Sequence, residues 1–213
     1  MNTVKLHIAK DMDGVETCWE EAMKNAFRKH LPDLEYKGPT EREIWNIPDN
    51  YPEEIRQVIQ NMWYEPGFFF NLKPKIGSVE STEWMLSQGY KVSFCTSPVY
   101  SNDPKIVNRC IAEKREYLFE TYKHLVSPAW FFDPKSPIQF IPVFDKTTIH
   151  AHYLIDDKPD VSGAMHPTWK QLLFDEGHPF GKDFYGQRIN WNPDSPYYYQ
   201  HVLSELSRRS KSL

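Results

Sequence analysis

Asp11 and Asp13 stand one residue apart in the segment Asp11-Met12-Asp13-Gly14-Val15, and three more polar groups follow later in the chain: Thr96-Ser97, Lys146 and Asp156-Asp157. Taken singly, each is commonplace. Asp-x-Asp-Gly is a frequent turn sequence, Thr-Ser-Pro a frequent strand exit, a double Asp a frequent helix cap, and a lone Lys is normally solvated. Taken together they have a use. Carboxylates gathered at one edge repel each other unless a hard cation neutralises them, and oxygen ligands suit magnesium. A hydroxyl and an ammonium facing that cluster supply the donors and positive charge that a phosphoryl group needs. The joint pattern points to phosphoryl transfer.

Such residues converge only if the elements before them are strands of one sheet. Val4 to Ile8 alternates apolar and polar residues and reads as a strand entering the Asp11 segment. Lys91 to Cys95 is a short strand running into Thr96-Ser97-Pro98, and Ile138 to Ile141 another within a Pro- and aromatic-rich stretch, Pro128 to Pro142. Tyr153 to Ile155 ends in Asp156-Asp157, and Gln171 to Phe174 is a further strand. Between them, helical spacing is expected from Trp19 to His30, from Pro52 to Trp63, from Ser78 to Gln88 with Gly89 as its stop, from Lys105 to His124, and from Pro196 to Ser210. Strands alternating with helices predict an α/β domain with a mainly parallel sheet, whose ligands bind at the carboxyl ends of the strands. Residues 16–72 lack a convincing strand and read as a helical insertion after the first one.

Composition bounds the rest. The 213 residues carry 40% hydrophobic and 25% charged side chains with a net charge of -4, as in a soluble globular protein. No long run of one sign suggests a nucleic-acid polymer or an anionic membrane as partner. Three cysteines, Cys18, Cys95 and Cys110, form neither a disulfide framework nor a metal pattern, so a reducing, cytoplasmic setting is expected. The N-terminus, broken by Lys5, His7 and Lys10, reads as no signal peptide, and no apolar run could span a bilayer. The 12 Tyr, 13 Phe and 7 Trp could line a pocket for a flat ligand, although core packing accounts for most of them.

The motifs Asp11-Met12-Asp13-Gly14-Val15, Pro66-Gly67-Phe68-Phe69, Phe94-Cys95-Thr96-Ser97-Pro98, Glu113-Lys114, Asp145-Lys146-Thr147, Leu154-Ile155-Asp156-Asp157-Lys158 and Pro167-Thr168-Trp169 occur in that order. In this the chain resembles the haloacid-dehalogenase (HAD-like) phosphatases, and within them the 5'(3')-deoxyribonucleotidases. The resemblance implies a Rossmann-like catalytic core formed by residues 1–15 and 73–213, with a small helical cap at 16–72. It implies a magnesium-dependent 5'-nucleotidase that hydrolyses (deoxy)nucleoside monophosphates through an aspartyl-phosphate. Asp11 would be the nucleophile and Asp13 the general acid and base. Magnesium would be held by Asp11, the Asp13 carbonyl and the acidic pair, Asp157 more directly than Asp156. Thr96, Ser97, Lys114 and Lys146 would bind the phosphate or its surroundings. Trp19, Phe68, Phe69 and Val99 would line the base pocket, with Trp19 read equally well as a core residue. A homodimer is allowed.

The chain departs from the family at Lys10, where an apolar residue is usual, and at Glu16-Thr17-Cys18, which replaces a more apolar Leu-Ala followed by an acidic residue. Both departures are expected to touch the entrance to the cap. Rival readings are a phosphatase of another small metabolite and a silent nucleotide-binding protein. His150 and His152 are expected to be structural rather than metal ligands, and Cys95 a packed apolar residue.

Overall fold

The computed structural model describes residues 6–127, 129, 133, 135–177 and 179–209. Strand β1 (His7–Lys10) is followed by helices α1 (Trp19–His30), α2 (Glu53–Met62) and α3 (Ser78–Ser87). Strand β2 (Lys91–Thr96), helix α4 (Pro104–Tyr122) and strand β3 (Ile138–Pro142) come next. The chain ends with β4 (Tyr153–Asp156), β5 (Lys170–Phe174), β6 (Gln187–Ile189) and α5 (Tyr199–Arg209). Apart from those of β6, the boundaries lie within a few residues of the expectation. Val4, Pro128 and Ser210, which the expected elements included, lie outside the described residues.

The strands form one parallel sheet in the order β3-β2-β1-β4-β5-β6. Strand β6 was not foreseen. The strand order reverses between β1 and β4, so a crevice opens at their carboxyl ends, where Asp11 and Asp156 stand. Side chains alternate across the sheet. Ile8, Val92, Phe94 and Ile155 join the main core with Leu118 of α4 and Leu203 of α5, whereas Ala9, Cys95 and Leu154 pack on the other face against Ile149 and Trp169. Among the described residues, no helix is long and apolar enough to cross a membrane.

Between β1 and α3 the chain has its own smaller core. Met23 and Phe27 of α1 pack with Ile59 and Met62 of α2 and with Ile47 and Tyr51 between them. Helix α1 opens with Glu20 and Glu21 and closes with Arg28, Lys29 and His30, the charge order that its dipole favours. The two connections run side by side: Cys18 N donates to Lys73 O at 2.9 Å and Lys75 N to Glu16 O at 2.8 Å. Residues 18–73 therefore leave and rejoin the sheet domain through one narrow neck.

Candidate active site

Strand β1 delivers Asp11 to the crevice, and its amide donates to Ile155 O of β4 at 2.9 Å. The turn that follows reverses sharply: Glu16 N and Thr17 N both donate to Met12 O at 2.9 Å. Gly14 has φ +84° at the tip, and a Cβ there would sit 2.0 Å from Asp157 Oδ2. Only glycine permits both that backbone conformation and the close approach of the acidic pair.

Lys146 arrives on a short 3-10 turn, Lys146–Thr148, after β3. Asp145 caps this turn by accepting from Thr147 N at 2.9 Å, and Trp169 Nε1 donates to Lys146 O at 3.0 Å. The buried ammonium then lies 2.8 Å from Asp11 Oδ1 and 2.7 Å from Asp156 Oδ2. Burial works against its charge, yet Asp11 and Asp156 together outweigh burial and hold its pKa well above the usual lysine value.

Lys114, from α4, supplies a second cation. It donates to Asp13 Oδ2 at 2.6 Å, Thr96 Oγ1 at 2.7 Å and Ser97 O at 3.1 Å, and lies 4.5 Å from the Phe69 ring centroid. The neighbouring Glu113 accepts from Gly67 N at 2.8 Å and Phe69 N at 3.2 Å, tying the Pro66-Gly67-Phe68-Phe69 segment to the same helix. The cradle leaves Asp13 Oδ1 buried without a partner. Burial pushes the Asp13 carboxyl up and Asp11 adds to this, against the opposing pull of Lys114.

Asp11, Asp156 and Asp157 each offer a carboxylate oxygen within 4.8 Å of the others. Burial, then Asp156 and Asp11, push Asp157 well above the ordinary carboxylate range, and burial lifts Asp156 to about 6. One ammonium among three crowded carboxylates leaves an excess of negative charge. An all-oxygen donor set with that excess fits a hard divalent cation.

These groups face a cleft of about 590 Å³, within the range that holds a small ligand. Asp11, Asp13, Ser97, Lys114, Lys146, Asp156 and Asp157 line it, with Val99, Trp19 and Phe69. Trp19 lines the cleft, yet it packs on both hydrophobic cores and stacks on Phe69 at a 5.8 Å centroid distance. Phe68 does not line the cleft; it meets Trp19 and Phe69 edge-on. Thr96 is fully buried, its hydroxyl turned to Lys114.

The cleft also holds residues that sequence reasoning passed over, among them Arg42, Trp45, Asn46 and Gln60. Arg42 is buried and pairs through Nη2 with Glu20 Oε1 at 2.7 Å. Trp45 and Asn46 lie in an aperiodic stretch between α1 and α2, where no spacing signal marks them. Gln60 and Trp63, by contrast, lie on or just after α2, within the helix expected from Pro52 to Trp63.

Lys10 and Glu16 are fully buried beneath the turn, paired with each other at 2.6 Å, and neither lines the cleft. Alternation along β1 puts Lys10 on the same face as Ile8, toward α3. His150 and His152 precede β4, and His152 Nδ1 accepts from His7 N at 2.9 Å. Cys95 is packed within the sheet, and burial pushes its thiol up.

A parallel Rossmann-like sheet carrying this arrangement of carboxylates and lysines at its switch point has the architecture of the HAD-like phosphoric monoester hydrolases. No family model matches the chain. It is 32% identical, over 82% of its own length and 75% of the relative's, to the mitochondrial 5'(3')-deoxyribonucleotidase of Mus musculus. Identity is also 32% to a Bordetella pertussis protein that bears the deoxyribonucleotidase name provisionally, over 86% of this chain and 90% of that one. The human cytosolic-type 5'(3')-deoxyribonucleotidase is 26% identical over 79% of each chain. The chain belongs to the 5'(3')-deoxyribonucleotidase family.

Proposed function

We propose that the protein is a magnesium-dependent nucleotidase that hydrolyses (deoxy)nucleoside 5'-monophosphates to nucleoside and phosphate. The observation that carries this reading is the convergence of Asp11, Asp13, Lys114, Lys146 and the acidic pair on one cleft that is also lined by aromatic side chains. Residues 16–72 act as the cap, and Trp19, Trp45, Trp63 and Phe69 offer flat surfaces to a base.

An Asp11 carboxylate oxygen attacks phosphorus, and the bond from phosphorus to the nucleoside oxygen breaks. Asp13, whose pKa burial raises, gives a proton to that departing oxygen. The result is an aspartyl-phosphate on Asp11, so one hard displacement becomes two easier ones. Asp13, now a carboxylate, takes a proton from the water that attacks phosphorus, and the bond from phosphorus to Asp11 breaks. Lys146 offsets charge on Asp11 throughout, and Ser97 and Lys114 face the phosphate oxygens. Asp11, the Asp13 carbonyl, Asp157 and, less directly, Asp156 would hold magnesium, which would supply further positive charge for the transferred phosphoryl group.

Phosphate release from a panel of nucleoside monophosphates and sugar phosphates, with magnesium and then with EDTA, tests the reading. Release from nucleotides that stops with EDTA and returns with magnesium is expected. Release confined to sugar phosphates would sink the nucleotidase assignment, and no release from any substrate would sink the enzyme.

A further inference from the structure

The residues on either side of the Asp11–Val15 turn are joined beneath it. Lys10 Nζ lies 2.6 Å from Glu16 Oε2, with both side chains fully buried. The contact is one of charge rather than a well-aligned hydrogen bond, since Oε2 has no donor in bonding geometry. The ammonium places its hydrogen bonds elsewhere: on Ser78 O at 2.9 Å, Thr82 Oγ1 at 3.0 Å and Ser81 Oγ at 3.3 Å, all on α3. Glu16 is anchored separately. Its Oε1 accepts from Tyr122 OH at 2.7 Å at the end of α4, and that hydroxyl is 3.1 Å from Thr82 Oγ1. The turn's outer strand is held too, by Trp191 Nε1 donating to Val15 O at 2.8 Å and Lys75 N to Glu16 O at 2.8 Å.

We infer that the Lys10–Glu16 pair is a staple that closes the base of the nucleophile turn and fixes the placement of Asp11 and Asp13. It rests on the reading of those two residues as the catalytic pair. Neither Lys10 nor Glu16 reaches the cleft, so they are positioning residues. A buried ion pair adds little net stability over apolar packing. Its directional bonds do limit where the turn's two ends can go. That limit matters here, because displacing a reacting group by about 1 Å costs on the order of a hundredfold in rate. The staple also spans the neck of the insertion, since Glu16 is the last residue before Thr17-Cys18 enters it.

Two variants separate positioning from bulk stability: Glu16→Gln, which keeps an acceptor for Tyr122, and Lys10→Met with Glu16→Leu, which removes both charges. Each is compared with the wild-type chain in three measurements. These are hydrolysis of p-nitrophenyl phosphate and a nucleoside monophosphate, thermal unfolding, and amide hydrogen exchange over residues 11–17. Glu16→Gln is expected to fold, lose about fivefold to tenfold in kcat with KM within about twofold, and exchange faster at the turn. The double variant is expected to unfold near the wild-type temperature while kcat stays about tenfold low. Wild-type kcat per folded molecule in both variants would overturn the staple, as would a loss of kcat that only follows the loss of folded protein. Should the wild-type chain hydrolyse neither substrate, the catalytic reading fails on its own. Exchange then decides the structural part: faster exchange at residues 11–17 supports the staple and unchanged exchange overturns it.

Discussion

Two buried lysines flank the same turn, and their surroundings differ in kind. Below it, Lys10 meets one carboxylate and three neutral oxygens, enclosed by Trp191 and Phe94 with no opening. Burial is the largest influence there and Glu16 only partly offsets it, so the Lys10 pKa falls below the usual lysine value. On the cleft side, Lys146 sits between Asp11 and Asp156, with Asp157 close by, and its pKa rises. One pocket is nearly neutral and closed. The other carries surplus negative charge and an opening, and that imbalance marks it as the place where an ion and an anionic substrate can meet.

The largest effect is expected at Asp11. Asp11→Asn removes the nucleophile but little volume, so turnover is expected to fall by at least about a thousandfold with the thermal midpoint almost unchanged. Substantial residual phosphate release from a purified, folded variant would show that Asp11 is not the attacking group. The charge surplus of the open pocket would then need another purpose.

A paired substitution sharpens the contrast between the lysines. Lys10→Met strands the Glu16 carboxylate in a closed core and is expected to cost about 3–5 kcal/mol of folding stability. Lys146→Met is expected to lower kcat by about a hundredfold or more, as removal of a preorganised charge at a reacting centre does. Its stability cost should be smaller, because the carboxylates left behind face an open cleft. Urea unfolding and steady-state kinetics of both variants check this. Equal losses of stability would mean that the two pockets are equally closed.

The same distinction explains what could be read in advance. Residues at strand ends announce themselves by following apolar runs, so Asp11, Thr96, Lys146 and Asp156 can be grouped from the sequence alone. Lys10 and Glu16 could not be placed. A charged side chain is solvated by default, and nothing in spacing shows that two such residues fold inward together. Strand β6 escaped notice for a related reason: Gln187-Arg188-Ile189 is short and mostly polar, and it forms only because β5 offers an edge to pair with. Arg42 and Trp45 lie in the aperiodic stretch between α1 and α2, where only tertiary packing, on Glu20 and on Phe180, gives them a place.

The smallest expected effect concerns a third base, His7, at the opposite end of β1 from Asp11. It is half-buried beside the Lys91 cation, its Nε2 is 2.7 Å from Ser93 Oγ, and among the described residues no carboxylate faces it. Burial first, then Lys91 and His152, depress its pKa from 6.5 to about 4. Between those two values the unfolded chain binds a proton that the folded chain does not, so stability falls as pH drops from 6.5 toward 4 and is fully present above that window. Partial exposure screens the effect, which should not exceed about 2 kcal/mol. Urea unfolding of wild type and His7→Asn at a series of pH values isolates it: the variant is expected to lose less stability than the wild type across this window. Identical pH dependence in the two proteins would show that His7 is better solvated than its packing implies. A base buried without a compensating carboxylate would then no longer be the weaker counterpart of Lys146, and proximity to Asp11 and Asp156 would have to be tested directly as the source of the difference.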